Sequence, residues 1–305
     1  MNDDKTMSKI FFDELNIRKP EINLNVGSGT HTYQTATTMT KLESVLDDIK
    51  PTMVMLYGDV NATLAGALVC AKRQIPISHV ESGLRSSDLS MPEEINRIIT
   101  DHIAKLLFCP SNHSKKILSY EGINKGVYVV GDVMYDIFNQ NVDNINDDDI
   151  ADYVLLTMHR AENTQLEKIE LRLEQLSKIK HNIIYPIHPR TKKMIKQFKI
   201  TVPTNIKIID PLGWLDLMNV AKKSLYIITD SGGLQKEALW LKKYCLTIRN
   251  ETEWIETIQQ GVNQIIKIDD KIVDPPINKK GDFHNPYGDG SASIKIASTI
   301  LNYFN

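Results

Sequence analysis

The sequence predicts an α/β protein made of two α/β halves, and three observations carry that expectation. Short β-rich apolar runs alternate with longer helical patterns along the whole chain, the sequence form of βαβ units on a parallel sheet. The length, 305 residues, corresponds to two domains at roughly 150 residues each. The most polar stretch, 139–149, lies near the midpoint and is followed by a new strand, so it reads as a linker.

Taken in order, strands are expected at 53–57, 75–80, 106–109, 127–130, 153–157, 183–187, 206–209, 225–229, 245–248 and 264–266. Helical patterns fall between them at 35–48, 62–73, 92–104, 165–179, 214–223, 234–241 and 254–260. Pro92 suits a first helical turn, and Glu93 and Glu94 then face the positive helix end favourably. The first regular element is a helix at 7–15, behind a polar tail and with no strand before it. Doubly wound domains ordinarily open on a strand, so the first half starts late. The last helix, 291–304, follows an irregular segment containing Asp274-Pro275-Pro276 and is expected to stand apart from the second sheet.

Composition narrows the function classes. Hydrophobic residues are 42% and charged residues 24%, which excludes disordered, collagen-like and coiled-coil chains. Lys and Arg number 36 against 38 Asp and Glu, a formal charge of −2, so no general cationic field exists to hold nucleic acid or an anionic membrane. An anionic ligand must be caught locally. Cys70, Cys109 and Cys245 stand too far apart for a disulfide framework or a paired zinc site and read as reduced core residues. The most apolar uncharged stretch, between Asp59 and Lys72, is shorter than the ~20 residues that span a bilayer, and the N-terminus lacks an apolar signal region. The expected location is the cytoplasm.

In open α/β sheets, ligands bind outside the carboxyl ends of the strands, so polar residues just after a strand are the ones to weigh. Gly58-Asp59, His79 and Glu81, His159-Arg160, His188-Pro189-Arg190, Asp230-Ser231-Gly232-Gly233 and Arg249 all fall there. The Ser231-Gly232-Gly233 turn leads into a helix, whose free N–H groups and partial positive charge suit a phosphate; an ordinary βα turn is the plainer reading. Glu237, one turn further, could accept from the two hydroxyls of a ribose or sit on the surface. Asp59, Glu81, Glu93 and Glu94, with His159 and Arg97, fall near strand ends and suggest proton transfer on a nucleotide-bound substrate. Arg97 is also four residues after Glu93, so a helical ion pair is its plainer reading.

Other chemistries fit poorly. Gly27-Ser28-Gly29 lacks the third glycine and the strand-turn-helix setting of a dinucleotide fingerprint. His79-x-Glu81 resembles half of a zinc-deaminase site, but the Pro-Cys-x-x-Cys partner is absent. No Gly-x-Ser-x-Gly elbow or Walker A loop occurs.

Eight segments together resemble, in order, the motifs of the non-hydrolysing UDP-N-acetylglucosamine 2-epimerase family. They are Tyr57-Gly58-Asp59, His79-Val80-Glu81-Ser82-Gly83-Leu84-Arg85, Met91-Pro92-Glu93-Glu94-Ile95-Asn96-Arg97, Gly131-Asp132, His159-Arg160-Ala161-Glu162-Asn163, His188-Pro189-Arg190, 229–238 and 285–290. The resemblance runs from about Met7 to the C-terminus. It implies two Rossmann-like domains in a glycosyltransferase-B-like fold of the UDP-glycosyltransferase and glycogen phosphorylase type, with an inter-domain cleft. The domains then run 1–145 and 146–288, with the helix at 289–305 returning to the first.

The resemblance further implies a UDP-sugar substrate, no cofactor, no metal and a homodimer. The implied reaction is anti elimination of UDP to 2-acetamidoglucal and re-addition with a proton on the other face of C2. The C2 hydrogen has no neighbouring carbonyl to acidify it, so C1–O cleavage must accompany proton loss, and two faces need two differently placed carriers. By resemblance, Asp59, Glu81 and Glu93 handle the proton, while His159 and Arg97 meet the diphosphate. Ser231, Gly232, Gly233 and Glu237 hold phosphate and ribose, and His188 and Arg249 stand on the nucleotide side.

The sequence departs from the family twice. The family opens with a strand and a Gly-Thr-Arg-Pro-Glu motif with a nearby lysine, and no segment here matches it; the first domain is expected to lack that strand and those cations. Thr252-Glu253-Trp254-Ile255-Glu256 stands where many members have Thr-Glu-Arg-Pro-Glu, and the Trp form resembles the branch acting on UDP-2,3-diacetamido-glucuronic acid. A hydrolysing 2-epimerase, a retaining glycosyltransferase and a non-catalytic UDP-sugar-binding protein are the competing readings.

Overall fold

The structure, a computed structural model, describes residues 17–145, 150–275 and 283–305; the helix expected at 7–15 lies outside them. The chain divides into two compact units, one formed by the described residues up to Gln140 together with Pro286–Asn305, the other by Asn141–Asn285.

The first unit alternates α1 (His31–Ile49), β1 (Val54–Tyr57), α2 (Asn61–Lys72), β2 (Ile77–Val80), α3 (Pro92–Ile103), β3 (Leu106–Cys109), α4 (Asn112–Tyr120), β4 (Val127–Val129) and α5 (Val133–Gln140). Local chemistry sets the helix starts: Thr30 and Ser111 cap α1 and α4 with their hydroxyls, and Pro92 opens α3. The four strands are parallel in the order β1-β2-β3-β4. Among the described residues β1 is therefore an edge strand. One face of this sheet packs Ile77 against Ala67, Val69 and Cys70 of α2 and Leu46 of α1.

The second unit carries β5 (Tyr153–Thr157), α6 (Ala161–Thr164), α7 (Leu166–Ser177), β6 (Asn182–Pro186), α8 (Pro189–Phe198), β7 (Ile206–Ile209), α9 (Trp214–Lys223), β8 (Ile227–Thr229), α10 (Gly232–Trp240), β9 (Cys245–Thr247), α11 (Ile255–Gln259) and β10 (Asn263–Ile265). All six strands are parallel, ordered β10-β9-β8-β5-β6-β7. Numbered within the unit, this is the doubly wound Rossmann order, and the strand order reverses between β5 and β8. Its core is rich in β-branched and aromatic side chains, including Val154, Ile183, Ile228, Tyr185 and Tyr226, as expected of strands buried on both faces.

The last helix, α12 (Ala292–Phe304), belongs to the first unit. Asp136 of α5 accepts the backbone N–H groups of Ala292 and Ser293 at 2.9 and 2.7 Å, a carboxylate at the positive helix end. Ile296 of α12 joins Val80, Leu106, Phe108 and Val130 on the sheet's other face.

All ten expected strands form, three with the expected bounds and the others with ends shifted by one or two residues. Helices α4, α5, α6 and α8 were not among the expected ones, although Ser111 before α4 and Pro189 at the start of α8 were readable start signals. Among the described residues no helix is long and apolar enough to cross a membrane.

Candidate active site

In the first unit, the carboxyl ends of β1 and β2 and the start of α3 gather the acids. Asp59 follows β1 and Glu81 follows β2, and both are partly buried. Gly58 has φ +62°, and a Cβ there would lie 3.4 Å from the Glu81 carboxylate, which places Glu81 against the turn that presents Asp59. Asp59 and Glu93 line one cavity of about 170 Å³, together with His31, Gln34, Asn61 and Asn96. The N-termini of α1, α2 and α3 all open onto it, so the backbone adds positive potential around two carboxylates.

Arg97 is held inside this unit. It is 3% exposed, its Nε donates to Asp59 Oδ2 at 2.9 Å, and its Nη1 donates to Glu94 Oε2 at 3.1 Å. Its carboxylate partners thus include Asp59 of the neighbouring strand end and Glu94, one helical turn back, rather than the Glu93 that i,i+4 spacing offered. The Asn96 amide meanwhile donates to the Asp59 carbonyl at 2.7 Å. Glu94, 1% exposed, accepts from Ser86 N–H, Ser86 Oγ and Ser87 N–H as well as Arg97. Adjacent glutamates thus divide: Glu93 faces the cavity, and Glu94 clamps the 86–87 loop.

In the second unit, the strand-order reversal between β5 and β8 brings His159 and the Ser231 turn to neighbouring strand ends. Thr157 and Thr229 bond across the two strands at 2.6 Å, and Thr229 Oγ1 accepts the Ser231 N–H. Asp230 is completely buried and accepts from the N–H groups of His159 and Arg160, the Asn163 amide and His159 Nδ1. Burial alone would raise the Asp230 pKa, but these hydrogen bonds and the His159 ring hold it below the usual carboxylate range. The carboxylate faces Nδ1, which is therefore the donor of the pair, and Nε2 lies on the other side of the half-exposed His159 ring.

Ser231 is the N-cap of α10, its Oγ accepting from Leu234 N–H at 3.4 Å, while Gly232 and Gly233 form the first helical turn. Gly232 is crowded by a carboxylate, since a Cβ there would lie 2.8 Å from Glu253 Oε1. Glu253 in turn accepts from Arg249 Nη1 at 2.9 Å, and Arg249 is 3% exposed, so Arg249 reaches the turn through Glu253. Glu237 is not a surface glutamate; it is 5% exposed and accepts from Trp214 Nε1 at 2.7 Å. His188 caps α8, accepting from the Arg190 N–H. Trp254, at the position that departs from the family pattern, is buried under Lys236, whose ammonium lies 3.8 Å from the indole centroid.

The sequence marked Asp230 as a strand-end residue without giving it a role, and it did not point to His31, Gln34 or Asn61. Asp230 was readable, since it directly follows β8 and opens the glycine turn. His31, Gln34 and Asn61 carry no motif, and only the packing of α1 against α2 joins them in a hydrogen-bonded chain, with Asn61 Nδ2 at 2.8 Å from Gln34 Oε1 and 3.0 Å from His31 Nδ1.

The first unit thus carries acids around a cavity at its strand ends, and the second, a Rossmann unit, carries a glycine turn at its switch point. The UDP-N-acetylglucosamine 2-epimerase family profile matches residues 1–301. The chain is 43% identical to a UDP-N-acetylglucosamine 2-epimerase homolog of Methanococcus maripaludis, over 98% of this chain and 89% of that one. It is 39% identical to the UDP-2,3-diacetamido-2,3-dideoxy-D-glucuronate 2-epimerase of Pseudomonas aeruginosa, over 97% and 88%. The crystal structure of the Methanocaldococcus jannaschii UDP-GlcNAc 2-epimerase, in complex with UDP-GlcNAc and UDP, superposes with TM-score 0.91 at 41% identity, covering 98% of this chain and 89% of that one. The chain belongs to the UDP-N-acetylglucosamine 2-epimerase family.

Proposed function

We propose that the protein is a UDP-N-acetylglucosamine 2-epimerase that interconverts the gluco and manno sugars by eliminating UDP to 2-acetamidoglucal and adding it back. The observation that carries this reading is the convergence of Asp59 and Glu93 on one cavity, with Glu81 against the Asp59 turn, in a chain whose relatives act on UDP-sugars. Three carboxylates supply carriers for both faces of C2. The first turn of α10, with Ser231, Gly232 and Gly233, binds the diphosphate through backbone N–H groups, and Glu237 and His188 serve the nucleotide side. His159, oriented by Asp230, stabilises the charge that develops on the departing UDP. Arg97 orients Asp59 and tempers its charge, and Arg249 holds Glu253 beside the phosphate turn.

The reading includes a cytoplasmic location, supported by three buried free cysteines, and a homodimer, which light scattering of the purified chain tests. A second sugar, UDP-2,3-diacetamido-glucuronic acid, is favoured by the Trp254 position and the Pseudomonas relative. Incubation with each UDP-sugar in D2O, followed by NMR at C2, decides between them. Deuterium at C2 with gluco–manno interconversion is the expected result. Release of free N-acetylmannosamine and UDP would show hydrolysis instead, and unchanged C2–H with UDP bound would show a binding protein.

A further inference from the structure

The structure gives His79 two partners at once. The side chain is fully buried, with Nδ1 2.7 Å from Asp101 Oδ1 and Nε2 2.9 Å from the Gly58 carbonyl oxygen. A carbonyl oxygen only accepts, so Nε2 carries a proton. Asp101 Oδ2 already accepts from the Gly83 N–H at 3.0 Å and from Arg85 Nη1 at 2.8 Å, which stabilises the carboxylate form and leaves the second proton on Nδ1. These partners favour the imidazolium form of the ring. In that form no lone pair remains for a metal.

The two ends of this pair grip the two turns that present the acids. Gly58 immediately precedes Asp59, and Gly83 lies two residues after Glu81. Glu81 itself has φ +69°, a left-handed conformation that costs a non-glycine residue about 1 kcal/mol or more and must be imposed by its surroundings. Ser82 adds to the restraint, with Oγ donating to the His79 carbonyl and N–H to the Phe108 carbonyl. Resting on the assignment of Asp59 and Glu81 as proton carriers, we infer that His79 and Asp101 are positioning residues that clasp both turns and set the distance between the two acids. The charged groups that face His79 are Asp101, Glu81 and, through Asp101, Arg85.

Two measurements test this. In the wild-type chain with 15N-labelled histidine, both ring nitrogens of His79 are expected to be protonated at pH 7, and a neutral ring there overturns the assignment. In Asp101→Asn and His79→Gln, C2 deuterium exchange is expected to fall about 100-fold, the usual penalty for misplacing reacting groups. UDP affinity, which belongs to the other unit, should stay within twofold, and amide exchange at Gly83 should rise. Exchange within threefold of wild type, or equal losses in UDP affinity and exchange, overturns the clasp. Absence of C2 exchange in the wild type overturns the functional reading instead, and the clasp then stands or falls on the ring protonation and Gly83 protection. Those two readouts also decide if a variant fails to fold.

Discussion

Asp230 and His159 form an oriented pair: the buried carboxylate lies 3.0 Å from the ring Nδ1 and accepts the same residue's backbone N–H. Sequence distance, 71 residues, gives no hint of it; adjacency of β5 and β8 does. In Asp230→Asn the amide must present either a donor or a weaker acceptor to three N–H groups and a ring nitrogen. C2 exchange is expected to fall on the order of 10²-fold or more through loss of the fixed ring tautomer. Steady-state exchange rates beside a melting curve check this; a loss of stability without a loss of exchange per folded molecule would contradict it.

Neighbouring glutamates should separate cleanly. Glu93→Gln changes a cavity-facing group and is expected to lower exchange by roughly 10²–10⁴-fold with stability within about 0.5 kcal/mol of wild type. Glu94→Ala removes one carboxylate partner of the buried Arg97 and the acceptor of the 86–87 N–H groups, and is expected to cost about 3–5 kcal/mol. Urea unfolding and C2 exchange on both variants check the contrast.

The His79–Asp101 pair gives the first unit a pH window. Burial pulls the His79 pKa down, but the hydrogen bond to Asp101, its charge, the Gly58 carbonyl and Glu81 more than reverse that, so it is raised. Burial pushes Asp101 up, and His79 and Arg85 outweigh it, so its pKa is lowered. The histidine contribution is fully present below about pH 6.5 and is lost as pH rises through the raised value. The carboxylate contribution is present above about pH 3.9 and is lost as pH falls through the lowered value. Melting temperature against pH should therefore show a plateau between these limits, and its alkaline limb should disappear in His79→Gln.

Two glycines should respond differently to alanine. Gly83 has φ +78°, and a Cβ would lie 2.4 Å from the Ser114 carbonyl oxygen, so Gly83→Ala is expected to cost more than about 2 kcal/mol and to disturb the Glu81 turn. At Gly232 the obstacle is the end of the Glu253 side chain, which can swing away from Arg249. Gly232→Ala should unfold near the wild-type temperature and lower UDP affinity by roughly tenfold through the narrowed turn. Calorimetry of unfolding and of UDP binding checks both halves.

Strands and the glycine turn were legible in the sequence because they depend on neighbouring residues. A run such as Ile227–Thr229 followed by Asp230-Ser231-Gly232-Gly233 carries its strand, cap and helix start within seven residues. Partnerships were not legible where an ion pair crosses elements: the guanidinium of Arg97 reaches Asp59 across 38 residues instead of Glu93 across four. Helical spacing permitted the second, but Glu93 faces the cavity and Arg97 points into the protein.

By itself, the sequence determined the α/β class, the ten strands, the motif-bearing turns and, through their order, the family. Tertiary structure alone decided which charges meet. Sheet order set β5 beside β8 and β1 beside β2, and burial then removed water as a competing partner. With water excluded, His79 had to find Asp101 and Gly58, and Asp230 had to find His159. The same residue types in a different strand order would have been surface charges with no assigned task.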